Sequence, residues 1–444
     1  MLAQTDLIDV STEKCSIEKS RRPTVLAFEM QVRGHHADYV RNFADAWIRH
    51  KIQGNIRFLV TPTFYELHAS VVQFIDSLDS PAVRISPITP DEERKVEANR
   101  LLREYRGWKL FCKYTREFKV DHGLMMYFDH FQLPSVIGGQ PPCPYSVIYF
   151  RPTFHYPTFQ NYRDSWRERI KNLRKRWVLQ RVLANRGLAQ VYCLDQYVVP
   201  YIIQHCKPRC EVAPIADSFT TYPRSPQRED ELRKELLIEP GRKLFCLLGV
   251  LDSRKGVTWL LKALLELAPQ TQPRVCILIL GYASNAEAAQ ISELISKVRQ
   301  STQVQIIFRN GFIEGHEVQH YYYLSDVILT TYQHHMGSSA AIVRASVAEK
   351  PVLSSDYGLM GEIVSCRNLG LTVDSGDVKS IARGIEKFIE GAADRIYDRE
   401  EAARYSQENS QRQLAQDLNR MLSLIRREPS NMSVASIDTA QVRS

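Results

Sequence analysis

The run from Ser325 to Val364 constrains the fold of this chain more than any other stretch. Asp326 to Thr331 is a short apolar, β-branched segment that reads as a buried strand. Tyr332 to Gly337 breaks that pattern, and Ser338 and Ser339 open an apolar-periodic helix, Ala340 to Ala348. Pro351 closes the helix, a second buried strand runs from Val352 to Ser355, and Tyr357-Gly358 turns toward a further helix from about Gly361. Such a β-loop-α-β-loop-α unit belongs to a parallel sheet, with both loops at the carboxyl ends of strands. In open α/β sheets ligands bind along that edge. A glycine followed by two hydroxyls at a helix N-terminus also offers N–H groups and a favourable dipole to a phosphate. An ordinary βα connection would look the same in spacing alone.

Strand and helix patterns alternate through the rest of the chain, which predicts sheets covered by helices. Strands are expected at Thr24–Met30, Ile56–Thr61, Leu124–Phe128, Tyr145–Phe150 and Gln190–Leu194 in the first half. Phe245–Gly249, Val275–Leu280 and Val304–Phe308 follow in the second half. The expected division is a flexible N-terminus (1–21), a doubly wound domain (22–222), a linker with one short helix (223–242), a second doubly wound domain (243–390), C-terminal helices (391–427) and a disordered tail (428–444).

A formal charge of +8 suggests an anionic partner, and no nucleic-acid recognition motif accompanies it. The nine cysteines are scattered, several within apolar strands, and form no zinc pattern, so a reducing compartment is expected. The N-terminus lacks the basic and apolar regions of a signal peptide, and no apolar run reaches membrane-spanning length; both readings favour a cytoplasmic protein. Residues 161–187 hold nine arginines and lysines against two acids, interleaved with Trp166, Ile170, Leu173 and Trp177. This segment reads either as a cationic helix lying peripherally on an anionic inner membrane face or as a solvated surface helix packed by its aromatics.

The second half carries a connected set of motifs: GVLDSRKGVTWLLKAL (249–264), LILG (278–281), NGFI (310–313), YYYLSDVILTTY (321–332), EKPVLSSDYGLMGEIV (349–364) and GLTVDSGDVKSIARGIEKFI (370–389). In order and spacing they resemble the C-terminal domain of GT-B glycosyltransferases of the large retaining family four, the glycosyl transferases group one. The resemblance covers about 150 residues and implies two Rossmann-like domains facing an interdomain cleft. It also implies sugar transfer from a nucleotide-diphosphate donor to a glycan or lipid-linked acceptor, with no metal or other cofactor.

Within this resemblance Lys255 matches the phosphate-binding lysine, Gly337, Ser338 and Ser339 match the phosphate loop, and Glu362 matches a glutamate after the second glycine loop. Val250 stands where the family usually has an arginine, and Arg254 is the candidate to compensate. The paired glutamates fall on Met336 and Arg344, with His334, His335 or Glu349 as candidates for part of their role. In the first domain Arg151, His155, and His35 or His36 after Gly34 are the candidates facing the cleft, with Asp129 and His130 behind them. The expected function is therefore a glycosyltransferase, set in bacterial polysaccharide or glycolipid synthesis. The alternative is a catalytically weak homologue that serves as a scaffold subunit.

Overall fold

A computed structural model describes residues 22–32, 34–159, 162, 166–313, 315–391 and 395–425. The expected flexible N-terminus and tail lie outside them. Two parallel sheets organise the chain. The first contains β1 (Thr24–Phe28), β2 (Asn55–Val60), β3 (Val83–Pro87), β4 (His122–Met125), β5 (Tyr145–Tyr149), β6 (Leu188–Cys193) and β7 (Glu211–Pro214), in the order β3-β2-β1-β4-β5-β6-β7. The second contains β8 (Lys243–Leu248), β9 (Val275–Gly281), β10 (Gln305–Asn310), β11 (Val327–Thr330), β12 (Val352–Ser355) and β13 (Gly370–Val373), in the order β10-β9-β8-β11-β12-β13. Strand order reverses between β1 and β4 in one sheet and between β8 and β11 in the other, and ligands of doubly wound sheets gather at that switch point.

The central strands are mostly apolar and buried because helices cover both faces. Every residue of β9 is buried, and a separate apolar cluster packs on each side of each sheet. Six helices matter below: α1 (His36–Arg49), α2 (Gln132–Ile137), α3 (Trp166–Leu183), α4 (Ala340–Val347), α5 (Gly358–Cys366) and α6 (Gln411–Ile425).

The stretch expected as a linker contains the helix Pro226–Glu235, whose Leu232 and the following Leu236 pack into the second domain beside Leu244. Helix α6 crosses back, and its Leu414, Leu418 and Met421 join the first-domain core with Val40 and Phe43 of α1. The second domain is thus held to the first by the chain entering it and again by the chain leaving it. Expected boundaries shift in places: the strand expected at Leu124–Phe128 runs from His122 to Met125. No helix among the described residues is long and apolar enough to cross a membrane.

Candidate functional site

The carboxyl ends of the two sheets face each other across a cavity of about 820 Å³. From the second domain it is lined by the turn after β8 and the loop after β11; from the first it is lined by the start of α1, the loop after β5 and the segment after β7.

The turn after β8 is tightly built. Gly256 has a φ of +71°, and a Cβ there would come within 2.5 Å of the Thr331 carbonyl, so only glycine lets this turn lie against the end of β11. The preceding residue, Lys255, is thereby held inside the cavity wall and is 8% exposed. Its Nζ lies 2.5 Å from the Tyr332 hydroxyl and 3.3 Å from the Leu248 carbonyl, over the Tyr332 ring. An ammonium held by two neutral oxygens and a ring face keeps its full positive charge available to an anion.

The loop after β11 supplies a helix N-terminus. Ser339 caps α4 by accepting the Ala341 N–H, and the α4 first turn carries no acid. Gly337 takes a φ of +99° and donates its N–H to the hydroxyl of buried Tyr156. The Ser338 hydroxyl donates to Asp217, which also accepts a short hydrogen bond from Tyr39 of α1. Asp217 thus ties the two domains together at the rim of the phosphate-type loop.

His335 lies between Arg254 and the Ser338 carbonyl, 3.3 Å and 3.1 Å away. Burial, reinforced by Arg254, Lys255 and Arg151, pushes its pKa down to about 4, so the ring is neutral at pH 7. Arg254 can only donate, which makes Nδ1 the acceptor and places the ring proton on Nε2, toward the Ser338 carbonyl. Arg344 also lines the cavity, stacked over Phe219 at 4.0 Å. Burial lowers its pKa, and its Nη1 is buried without a hydrogen-bond partner among the described residues.

On the first-domain side His35 stacks on both His36 and Phe150, which also touch each other, and burial followed by His36 lowers its pKa. His36 is turned inward, its Nδ1 3.0 Å from buried Glu29. Arg151 donates to the Tyr127 hydroxyl, and its side chain comes within reach of Gly337. Asp129 accepts the main-chain N–H groups of Phe150 and Arg151, so its role here is to shape the loop that carries Arg151. Burial raises its pKa.

The structure therefore brings His35, Arg151, Arg254, Lys255, His335, Gly337, Ser338 and Ser339 to one cavity, with Met336 and Arg344 beside them. Of the residues expected at the site, Glu349, Asp129 and His130 do not line the cavity, and His155 and Glu362 fall elsewhere. His155 lies one 3-10 turn beyond Arg151, which carries it into the core at 1% exposure, 3.0 Å from Asp195 and packed by Tyr156 and Phe159. Glu362 sits in the second turn of α5, accepts the Cys366 thiol and does not line the cavity. Tyr39, Asp217 and Tyr332 were missed. Asp217 and Tyr332 each follow the carboxyl end of a strand, the one positional signal that could have found them.

Two Rossmann-like domains with ligand-binding edges opposed across a cleft define the GT-B class of glycosyltransferase folds. Residues 228–412 match the family model described as "Glycosyl transferases group 1". Among solved structures, a glycosyltransferase from Rickettsia africae superposes with a TM-score of 0.63 at 14% identity, over 91% of this chain and 98% of its own. Sucrose-phosphate synthase from Thermosynechococcus elongatus gives 0.63 at 15%, over 90% and 98%. Anabaena HepE, in complex with UDP and glucose, gives 0.60 at 18%, over 90% and 100%. At these identities the likeness establishes the fold. No curated protein shows significant sequence similarity to the chain.

Proposed function

We propose that this protein transfers a sugar from a nucleotide-diphosphate donor, bound on the second-domain side of the cavity, to an acceptor presented by the first domain. The observation that carries the reading is the buried Lys255 beside the N-terminus of α4, with Arg254, Arg344 and Arg151 on the same cavity. As the glycosidic bond breaks, negative charge grows on the departing diphosphate. Cations and aligned N–H groups already aimed at that place lower the barrier without having to reorganise. The Anabaena structure contains UDP and glucose in a fold of the same class, which supports a nucleotide sugar as the ligand class here.

The step uses no metal in this reading, since lysine and arginine supply the countercharge. Retention of configuration, a glycan or lipid-linked acceptor, a role in bacterial polysaccharide or glycolipid synthesis and a cytoplasmic location follow from the family resemblance and are part of the proposal. The second reading, a weak or inactive homologue that scaffolds a partner transferase, is favoured by one observation. Met336 and Arg344, in the places of the paired glutamates, both face the cavity and neither can act as a carboxylate.

Calorimetric titration with a panel of UDP-, GDP- and ADP-sugars, followed by a nucleotide-release assay, separates the two. Binding of one donor that depends on Lys255, with release of its nucleotide, supports the transferase. Lys255-dependent binding without release in any acceptor mixture favours the scaffold, and a folded protein that binds no member of the panel overturns the transferase and leaves the scaffold.

A further inference from the structure

Helix α3 is apolar on two opposite faces. Leu179, Val182 and Leu183 are buried against the first domain. Trp166, Ile170, Leu173 and Trp177 are 67, 60, 65 and 55% exposed. At about 100° per residue their positions fall within roughly 60° of arc, a straight ridge about 17 Å long facing away from the body. Packing explains the first face and leaves the second unexplained, because two tryptophans, a leucine and an isoleucine lined up in water are unfavourable without a partner.

The cations indicate which partner. The helix holds seven arginines and lysines against one glutamate. By the same helical geometry Arg174 and Arg181 fall on one shoulder of the ridge and Arg169 and Arg176 on the other. The Arg167 and Arg181 guanidiniums lie 5.3 and 5.2 Å from the Trp166 and Trp177 ring centres. A narrow apolar ridge, tryptophan near both ends and arginine along both shoulders match, in cross-section, the boundary between acyl chains and anionic headgroups. Helix α2, packed beside α3, adds exposed Leu133 and Ile137. On one flank a groove of about 640 Å³ is lined by Arg169, Asn172 and Arg176, and the Asn172 amide nitrogen is buried there without a partner among the described residues.

We propose that α3 seats the protein on an anionic lipid surface, with the ridge in the interfacial layer and headgroup phosphates on the flanking arginines. The location suits the cleft. Lys175 of α3 donates to Thr153, two residues from Arg151 at the cavity wall, so an acceptor anchored in the same bilayer would reach the cavity from this side. That last consequence rests on the transfer reading above; the lipid contact does not.

The test uses the full chain in co-sedimentation with vesicles of phosphatidylglycerol and phosphatidylcholine, against phosphatidylcholine alone, with tryptophan quenching by brominated acyl chains. Binding to the anionic vesicles, about tenfold or more weaker on neutral ones, with quenching, is expected. Leu173→Glu, and separately Arg174→Ala with Arg181→Ala, should each weaken it by about tenfold. Absence of binding overturns the proposal. Binding without quenching that Leu173→Glu leaves intact overturns it too, as mere adsorption of a cationic protein. A dimer in solution that Leu173→Glu dissociates would show instead that a second copy covers the ridge. Nucleotide-sugar calorimetry on the same variants keeps the two questions apart: unchanged donor affinity with lost vesicle binding supports the docking surface, whatever the fate of the transfer reading.

Discussion

Two helix N-termini face the same cavity from opposite domains, and they are built for different neighbours. Helix α4 follows a glycine loop, is capped by Ser339, has no acid in its first turn and has Lys255 and Arg254 nearby on the same wall. Helix α1 also follows a glycine, Gly34 with a φ of +88°, yet its N-cap His35 makes no side-chain capping bond. Its first turn carries Asp38, and Glu29 lies buried against His36. The positive end of a helix attracts anions most where cations outweigh the nearby carboxylates, and at α4 Lys255 and Arg254 outnumber the single carboxylate of Asp217. The α4 end therefore suits a diphosphate, and the α1 end suits a neutral hydroxylated group that hydrogen-bonds to histidine and tyrosine. The shared βα architecture does not assign these roles; the side chains placed on it do.

The most direct way to break this contrast is Lys255→Ala. A hydrogen-bonded buried charge is worth about 1.5–3 kcal/mol, so donor affinity should fall roughly 10- to 150-fold by calorimetry. His35→Ala on the other side should leave donor affinity within about twofold and lower turnover instead. Equal losses of donor binding in the two variants would mean that the phosphates are not confined to the α4 side. A smaller effect is expected at the tie between the domains. Asp217 presents a carboxylate to Ser338 at the rim of the anion loop, and Asp217→Asn removes that charge while keeping the size of the side chain. Donor affinity should rise about three- to tenfold at low salt, and the gain should shrink as salt screens it. A decrease would show that Asp217 contacts the donor rather than competing with it.

The same contrast explains what was legible in the sequence. The α4 side depends on contiguous residues, Ser253–Gly256 and Tyr332–Ser339, where strand, turn and cap follow one another, so periodicity and turn chemistry locate them. The first-domain side is assembled from α1, the loop after β5 and the segment after β7, where His35, Arg151 and Asp217 are 116 and then 66 residues apart. Spacing carries no information about such a meeting. His155 shows the limit. Counting along the chain reaches its vicinity, but the 3-10 turn at Thr153–Thr158 decides that Arg151 faces the cavity while His155 turns into the core. In α3 the arginine-rich pattern was plain, whereas which apolar residues face inward depended on where the helix docks. With apolar groups on both sides, periodicity alone favours neither face.

The smallest expected effect gives the sharpest position for the phosphates. In the unliganded protein His335 has a pKa of about 4 against an ordinary 6.5, chiefly through burial. The unfolded chain then holds more protons than the native one between those values. The stability linked to this residue is present in full above about pH 6.5 and is lost as pH falls toward 4. A diphosphate seated beside Arg254, Lys255 and α4 offsets the cations facing this ring and raises its pKa, so binding takes up a proton. Affinity for a nucleotide sugar, whose diphosphate diester does not itself titrate in this range, should therefore rise by about two- to fourfold between pH 7 and pH 5. His335→Asn should flatten that profile. His35→Asn should leave it in place, since the His35 ring belongs to the α1 side, with Asp217 and Glu29 for neighbours. The opposite pattern, a profile that follows His35 and ignores His335, would move the donor phosphates across the cavity and reverse the roles assigned to the two helix ends.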